Sequence, residues 1–174
     1  MKGATSDSKR YVEEDGGLSI QVTRFGPADD LELLAQAINA SQWDALNDID
    51  GYRAEALRTY LADPNNLFIG AFLGPQNTDL GGIASARLAI KPWGDFRWLY
   101  IDEVDTCVNF RRRGVGTALM RYLLDTARAA GCQEVWLGTE MNNVAARALY
   151  DSLQPNEVDA VIGYTFRPQQ RRKQ

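Results

Sequence analysis

The stretch Phe110-Arg111-Arg112-Arg113-Gly114-Val115-Gly116-Thr117 joins two unlike neighbours. Residues 98–107 (WLYIDEVDTC) before it read as a strand. Residues 114–130 after it read as a helix ended by Gly131, with Val115, Ala118, Leu119, Tyr122, Leu123, Thr126, Ala127 and Ala130 as its buried stripe. With the strand predicted at 134–139, this strand-helix-strand unit requires a parallel crossover. At the junction, two glycines remove Cβ atoms where backbone can approach a ligand closely. The first helical N–H groups have no intrahelical partner, the helix dipole favours an anion there, and the arginines add long-range attraction. Such a junction can cradle a diphosphate, or it can be an ordinary turn with a solvated basic run. It is not a Walker A loop, lacking G-x-x-x-x-G-K, and not G-x-G-x-x-G, because Leu119 stands at the third glycine's place.

Outward from the junction, residues 19–25 (SIQVTRF) alternate as a strand. Residues 31–40 carry Leu, Ala and Ile at helical spacing behind the start signal Pro27-Ala28-Asp29-Asp30. A second helix is predicted over 52–61, with Asp48 or Asp50 near its start, and Asp63-Pro64-Asn65-Asn66 breaks the chain after it. Residues 67–73 and about 80–90 read as strands joined by a turn at 74–77, and Pro92-Trp93-Gly94-Asp95 turns the chain into 98–107. These short connections make the middle third an antiparallel meander. A helix over 144–153 and a strand over 158–166 that closes the sheet end the pattern. The fold class is α/β (α+β), with one domain over residues 19–167. Residues 1–18 are expected to be a mobile polar tail, and residues 168–174 a basic tail.

The 174 residues suffice to bury a core, and 45% hydrophobic with 24% charged residues is ordinary for a soluble domain. A net charge of −4 disfavours a general nucleic-acid binder and suits a cationic partner. Cys107 and Cys132 form neither a disulfide framework nor a zinc pattern. The absence of histidine removes imidazole bases, His triads and His-ligated metals, so no metal is expected and any base is a carboxylate, tyrosine, lysine, cysteine or water chain. No apolar run has signal-peptide or membrane-spanning length, so a soluble, cytoplasmic protein is the expectation.

Arg111-x-x-Gly114-x-Gly116 resembles the R/Q-x-x-G-x-G/A signature of the GNAT N-acetyltransferase superfamily. Asn143-Val144-Ala145-Ala146-Arg147-Ala148-Leu149-Tyr150 is similar to its N-x-x-A-x-x-L-Y segment, and Val104-Asp105-Thr106 occupies the L-x-V place at the end of its fourth strand. The resemblance spans about residues 19–166. It implies the GNAT fold, a mixed, mostly antiparallel sheet with splayed central parallel strands and flanking helices, and an acyltransferase that uses acetyl-CoA.

The same resemblance implies roles. Main chain of Val104, Asp105 and Thr106 would pair with the pantetheine arm. The loop Arg111, Arg112, Arg113, Gly114, Val115, Gly116 and Thr117 would hold the pyrophosphate on its amides. Asn143 would bond the cofactor, or cap its helix as an Asn there commonly does. Tyr150, on the face of Ala146, Leu149 and Leu153, would be core or the general acid that protonates the departing thiolate. Glu103 and Asp105 lie two apart and share a face unless a bulge intervenes. They either face solvent or, by mutual repulsion, supply a base and attract a cation. Glu103 is the favoured base, because Gly138 occupies the fifth-strand position where some members carry a glutamate.

The layout resembles the aminoglycoside 3-N-acetyltransferase branch, in the strand LFIGAFL, the glycine-bearing next strand, the long connection 91–97 and the acidic residue at 103. Leu153-Gln154-Pro155 and Cys107-Val108-Asn109 depart from it. The resemblance thus implies an aminoglycoside acceptor, an antibiotic-resistance role and an acidic mouth drawn from Asp44, Asp48, Asp50, Glu103, Asp105 and Glu140. These acidic residues can equally be solvated surface. Another small-molecule or peptide amine is the alternative acceptor, and an acyl-CoA-binding sensor is the alternative class. Neither nucleic acid nor membrane is an expected partner. An exposed sheet edge near 158–166 would permit a homodimer.

Overall fold

A computed structural model describes residues 11–15, 18–44, 51–74 and 78–168. They group into two compact units, 1–137 and 138–174. The first unit holds strands β1 (Tyr11–Asp15), β2 (Leu18–Phe25), β3 (Asn66–Leu73), β4 (Asp79–Ile90), β5 (Arg97–Thr106) and β6 (Glu134–Trp136). It also holds helices α1 (Leu31–Ala40), α2 (Ala54–Leu61) and α3 (Val115–Ala129). One sheet runs in sequence order from β1 to β6, antiparallel except for the parallel β5–β6 pair that closes around α3. This is the mixed, mostly antiparallel fold that the sequence predicts.

Strand β1 corrects the expected tail over 1–18 at residues 11–15 and at Leu18. Asp15 pairs with Leu18, so only Gly16-Gly17 separates the two strands, a hairpin spacing in a stretch whose polar composition hides it. Residues 1–10, 16–17, 45–50, 75–77 and 169–174 lie outside the described residues, and with them all but Gly74 of the predicted turn at 74–77, Asp48, Asp50 and nearly all of the C-terminal tail.

Two register shifts shape the sheet. Gly81 is an extra residue on β4 opposite the step from Ala71 to Phe72, and Asp102 is an extra residue on β5 opposite the step from Ser85 to Ala86. Each extra residue resets the alternation of faces on its strand. On one face Ile83, Leu80 and Phe68 pack with Leu31, Leu34 and Ile38 of α1 and Leu57 and Leu61 of α2. The other face receives α3: a Cβ on Gly82 would meet Val115 at 2.7 Å, Leu119 at 3.1 Å and the Asp105 carbonyl at 2.6 Å. Only glycine lets the start of α3 lie this close to β4 and β5. Fully buried residues such as Leu119, Leu123 and Leu99 contribute roughly 1.5–3 kcal/mol each to holding that face together.

The second unit contains α4 (Val144–Ser152). The strand predicted over 158–166 is not present; Val158, Val161, Ile162, Tyr164 and Phe166 are exposed in chain without regular secondary structure. Strand formation depends on a packed neighbour more than on the apolar content of the segment, and that content prompted the expectation.

Candidate active site

Strand β5 ends at Thr106, and the Cys107 amide donates to the Gly81 carbonyl at 2.9 Å. One 3-10 turn, Val108–Phe110, follows, its Val108 amide bonded to Gln42 O at 2.8 Å. The chain then enters α3 through two left-handed residues, Arg112 at φ 59° and Gly114 at φ 79°. Gly114 is the N-cap and supplies no side-chain cap. Among the described residues nothing accepts the amide protons of Arg112, Arg113, Gly114, Val115, Gly116 or Thr117. The left-handed pair turns the chain into a helix start whose amides are left for a ligand, and the α3 dipole favours an anion there.

The edge of β5 leading to this loop is open as well. Pairing with β6 covers Trp98, Leu99 and Tyr100 and stops, so residues 101–106 have no strand on that side among the described residues. Val104, Asp105 and Thr106 therefore lie on an edge that no described strand covers, leading into the loop 112–117. Of the arginines, Arg111 is turned back: its guanidinium ion-pairs with Asp44 at 2.7 Å. Asp44 thus belongs to the loop's own framework and not to an open acidic mouth. Arg113 lies over the Phe110 ring, 5.7 Å from its centroid. Anion-binding capacity here rests on backbone more than on guanidinium groups.

On the α1–α2 face a cavity of about 550 Å³ is lined by Tyr52, Leu57, Tyr60, Phe68, Ser85, Arg87, Asp102 and Glu103, with Gly51, Arg53 and Ala56 completing it. The extra residue Asp102 makes it possible. Plain alternation from buried Leu99 and Ile101 would send Glu103 and Asp105 to the α3 face. Instead Glu103 stands opposite Ser85 and Asp105 opposite Ile83, both on the α1–α2 face. The expected shared face of Glu103 and Asp105 holds, because the bulge precedes both.

Glu103 is held at one oxygen: Tyr52 and Ser85 hydroxyls each donate to Oε2 at 3.3 Å. Its Oε1 has no donor among the described residues. Tyr52 is fixed at its backbone by Asn39, which accepts from the Tyr52 amide at 2.7 Å and donates to its carbonyl at 2.8 Å. Burial, then the Glu103 and Asp105 carboxylates, push the Tyr52 hydroxyl well above the usual tyrosine range, so it stays a neutral donor. Tyr60 donates to Ala86 O at 3.1 Å, beside the register shift, and burial followed by the Asp102 charge pushes it up to about 12. Arg87 grips Asp102 through both oxygens, at 3.0 and 2.7 Å, and lies over the Tyr100 ring. Tyr52, Ser85, Tyr60, Arg87 and Asp102 belong to no motif in the sequence; the one usable signal is the misphasing of Glu103 against Leu99 and Ile101.

In the second unit Asn143 accepts from the Ala146 amide at 3.1 Å, so it caps α4. Asn143, Ala146, Leu149, Tyr150 and Leu153 are the half-buried positions of this helix and its ends, a stripe at helical period. Tyr150 therefore lies on the less exposed face. Among the described residues no group of three or more His, Cys, Asp or Glu side chains could hold a metal ion, and no helix is long and apolar enough to cross a membrane.

A mixed sheet whose β5 edge no strand covers beyond Tyr100, and a helix start whose first amides have no acceptor, both among the described residues, together suit an anionic ligand. Residues 34–154 match the Acetyltransferase (GNAT) family, and the chain belongs to that family. It is 30% identical over 100 residues to mouse N-acetyltransferase family 8 member 3, covering 58% of this chain and 43% of the relative. It is 43% identical over 49 residues to the [ribosomal protein bS18]-alanine N-acetyltransferase of Salmonella typhimurium, covering 28% of this chain and 33% of the relative. The chain thus matches less than half the length of these curated relatives. In fold it is similar to the crystal structure of the aminoglycoside acetyltransferase meta-AAC0020 from an uncultured soil metagenomic sample in complex with trehalose, with TM-score 0.72 and 18% identity, covering 85% of this chain and 95% of that one.

Proposed function

We propose that this chain is an N-acetyltransferase that moves the acetyl group of acetyl-CoA, the co-substrate of GNAT acetyltransferases, to a primary amine. The observation that carries the reading is β5 itself. Its open edge at Val104, Asp105 and Thr106 runs into the unclaimed amides at 112–117, and its Glu103 carboxylate stands in the neighbouring cavity. The loop amides would hold the pyrophosphate, and the strand edge would pair with the pantetheine amides. Residues 19–167 would act as one catalytic domain, an assignment supported by a family match that crosses both compact units. Asn143 serves as the α4 cap in this reading.

An ammonium acceptor must lose a proton before it can attack, and Glu103, directly or through water, takes it. The neutral amine nitrogen then bonds to the thioester carbonyl carbon, and the carbon–sulfur bond breaks. Asp105 adds negative charge on the same face, and Tyr150 supplies the proton for the departing thiolate and is restored by the proton that the acylated nitrogen sheds. Backbone N–H groups of the β5 edge would stabilise the charge that develops on the carbonyl oxygen. The aminoglycoside acceptor is supported by the likeness in fold to meta-AAC0020, and a peptide α-amine by the likeness to the Salmonella protein.

The test is thiol release from acetyl-CoA across polyamine, aminoglycoside and peptide amines, with the mass of the product. Turnover with an acetylated product is the expected result; tight CoA binding with no amine acetylated would make the chain a sensor. Replacing Tyr150 with Phe should lower kcat by about 10²-fold or more and leave acetyl-CoA affinity intact. Unchanged kcat would reassign Tyr150 to packing.

A further inference from the structure

We infer that the cavity beside Glu103 selects a small primary amine with one positive charge and an aromatic or branched apolar body, in preference to a polycationic sugar. The inference rests on the acyl-transfer reading for the identity of the site, and on the cavity's own walls for the class of acceptor.

The charge inventory leads to one cation. Glu103 keeps one carboxylate oxygen without a donor among the described residues. Asp102 is matched by the bidentate Arg87, so it adds no second uncompensated carboxylate. Asp44 is bound to Arg111, and Arg53 contributes a positive charge to the lining. With Asp105 on the same face and Arg53 in the lining, one ammonium at Oε1 balances the described charges around the cavity. A ligand with three or four ammonium groups would leave the others without counter-charges among the described residues of the lining.

The apolar inventory describes what the ammonium is attached to. Tyr52 and Phe68 form a tilted ring pair with centroids 5.7 Å apart, and Leu57 and Phe68 are buried in the core behind the cavity. Tyr52 spends its hydroxyl on Glu103 and Tyr60 donates its own to Ala86 O. Both tyrosines stay protonated, so each presents a ring and no anion. An ammonium beside Glu103 gains from these ring faces, and an apolar body gains by contact with them. Sugar hydroxyls placed against Leu57 and Phe68 would lose water and find few partners. A volume of about 550 Å³ is within the ordinary range for small-molecule sites.

The experiment compares 2-phenylethylamine, spermidine, kanamycin and an alanine-starting tripeptide by kcat/KM with acetyl-CoA. In parallel, calorimetry follows each amine binding to the CoA-loaded protein, where no transfer can occur. The expectation is a preference for phenylethylamine of roughly tenfold or more over spermidine and kanamycin in both measurements, with Glu103→Gln weakening its binding by about tenfold. Ala56 is exposed on α2 and lines the cavity, so Ala56→Asp should fold and should shift preference towards spermidine by roughly tenfold. Kanamycin, spermidine or the peptide outperforming phenylethylamine would overturn the inference while leaving the transferase reading standing. Selective phenylethylamine binding with no transfer to any amine would uphold the inference and sink the transferase reading. Failure of Ala56→Asp to change the preference would overturn the single-charge argument.

Discussion

The loop entering α3 and the cavity under α2 lie on the same strand and work by opposite means. The loop spends six consecutive main-chain amides, and two left-handed residues suffice to leave them unclaimed. The cavity spends side chains from separate elements: Tyr52 ahead of α2, Phe68 on β3, Ser85 on β4 and Glu103 on β5. A site made of backbone is built by local geometry and tolerates most side-chain changes. A site made of side chains depends on register, and its selectivity can change one residue at a time.

Gly114→Val attacks the loop where side-chain tolerance ends. A β-branched residue at φ 79° is strained, and its bulk crowds the amides. Acetyl-CoA affinity should fall on the order of 100-fold by calorimetry, equivalent to losing one or two charge-assisted hydrogen bonds. Undiminished affinity would break the contrast, because the loop would then not be the anion site. Tyr52→Phe tests the cavity. Glu103 loses one of its two donors, so KM for the amine should rise about threefold to tenfold, while acetyl-CoA affinity stays within about twofold. A fall in cofactor affinity of the same size would show that the two regions are coupled.

The smallest effect concerns stability. The Tyr60 hydroxyl ionises near 10 in ordinary surroundings and is pushed up to about 12 here. The folded state therefore holds its proton more tightly than the unfolded chain does. That contribution is complete below pH 10 and is lost as pH rises towards 12. For a half-buried ring it amounts to about 1 kcal/mol once solvent screening is allowed for. Urea midpoints should decline over this window, and Tyr60→Phe should flatten the decline; an identical slope in the variant would assign it to other groups.

The contrast also explains what could be read from the chain beforehand. The α3 junction is a contiguous string, so Gly114, Gly116 and the helical stripe behind them were legible, as were the meander and the two helices ahead of it. The cavity was legible only at Glu103. Tyr52 looked like the first residue of a helix, and its clamp by Asn39 joins residues 13 apart. Ser85 and Asp102 mattered only once the register between two strands was known, and period-two reasoning contains no marker for an inserted residue. The final strand failed in the opposite direction: residues 158–166 are apolar enough to be a strand, yet lie exposed. The hairpin partner Tyr11–Asp15 was missed because its ladder is made by main-chain groups that any composition carries.

The extra residue on β5 has a consequence for how such a site can diverge. Removing Asp102 would leave Ile101 opposite Ala86 and Glu103 opposite Ser85, a straight ladder with the acceptor carboxylate still in place. What would vanish is the counter-ion of Arg87. A guanidinium released beside a glutamate suits a zwitterion, binding both ends of a free amino acid. A single-codon deletion would thus convert an amine pocket into an amino-acid pocket, and the deletion variant's relative rates with phenylethylamine and phenylalanine would measure that conversion.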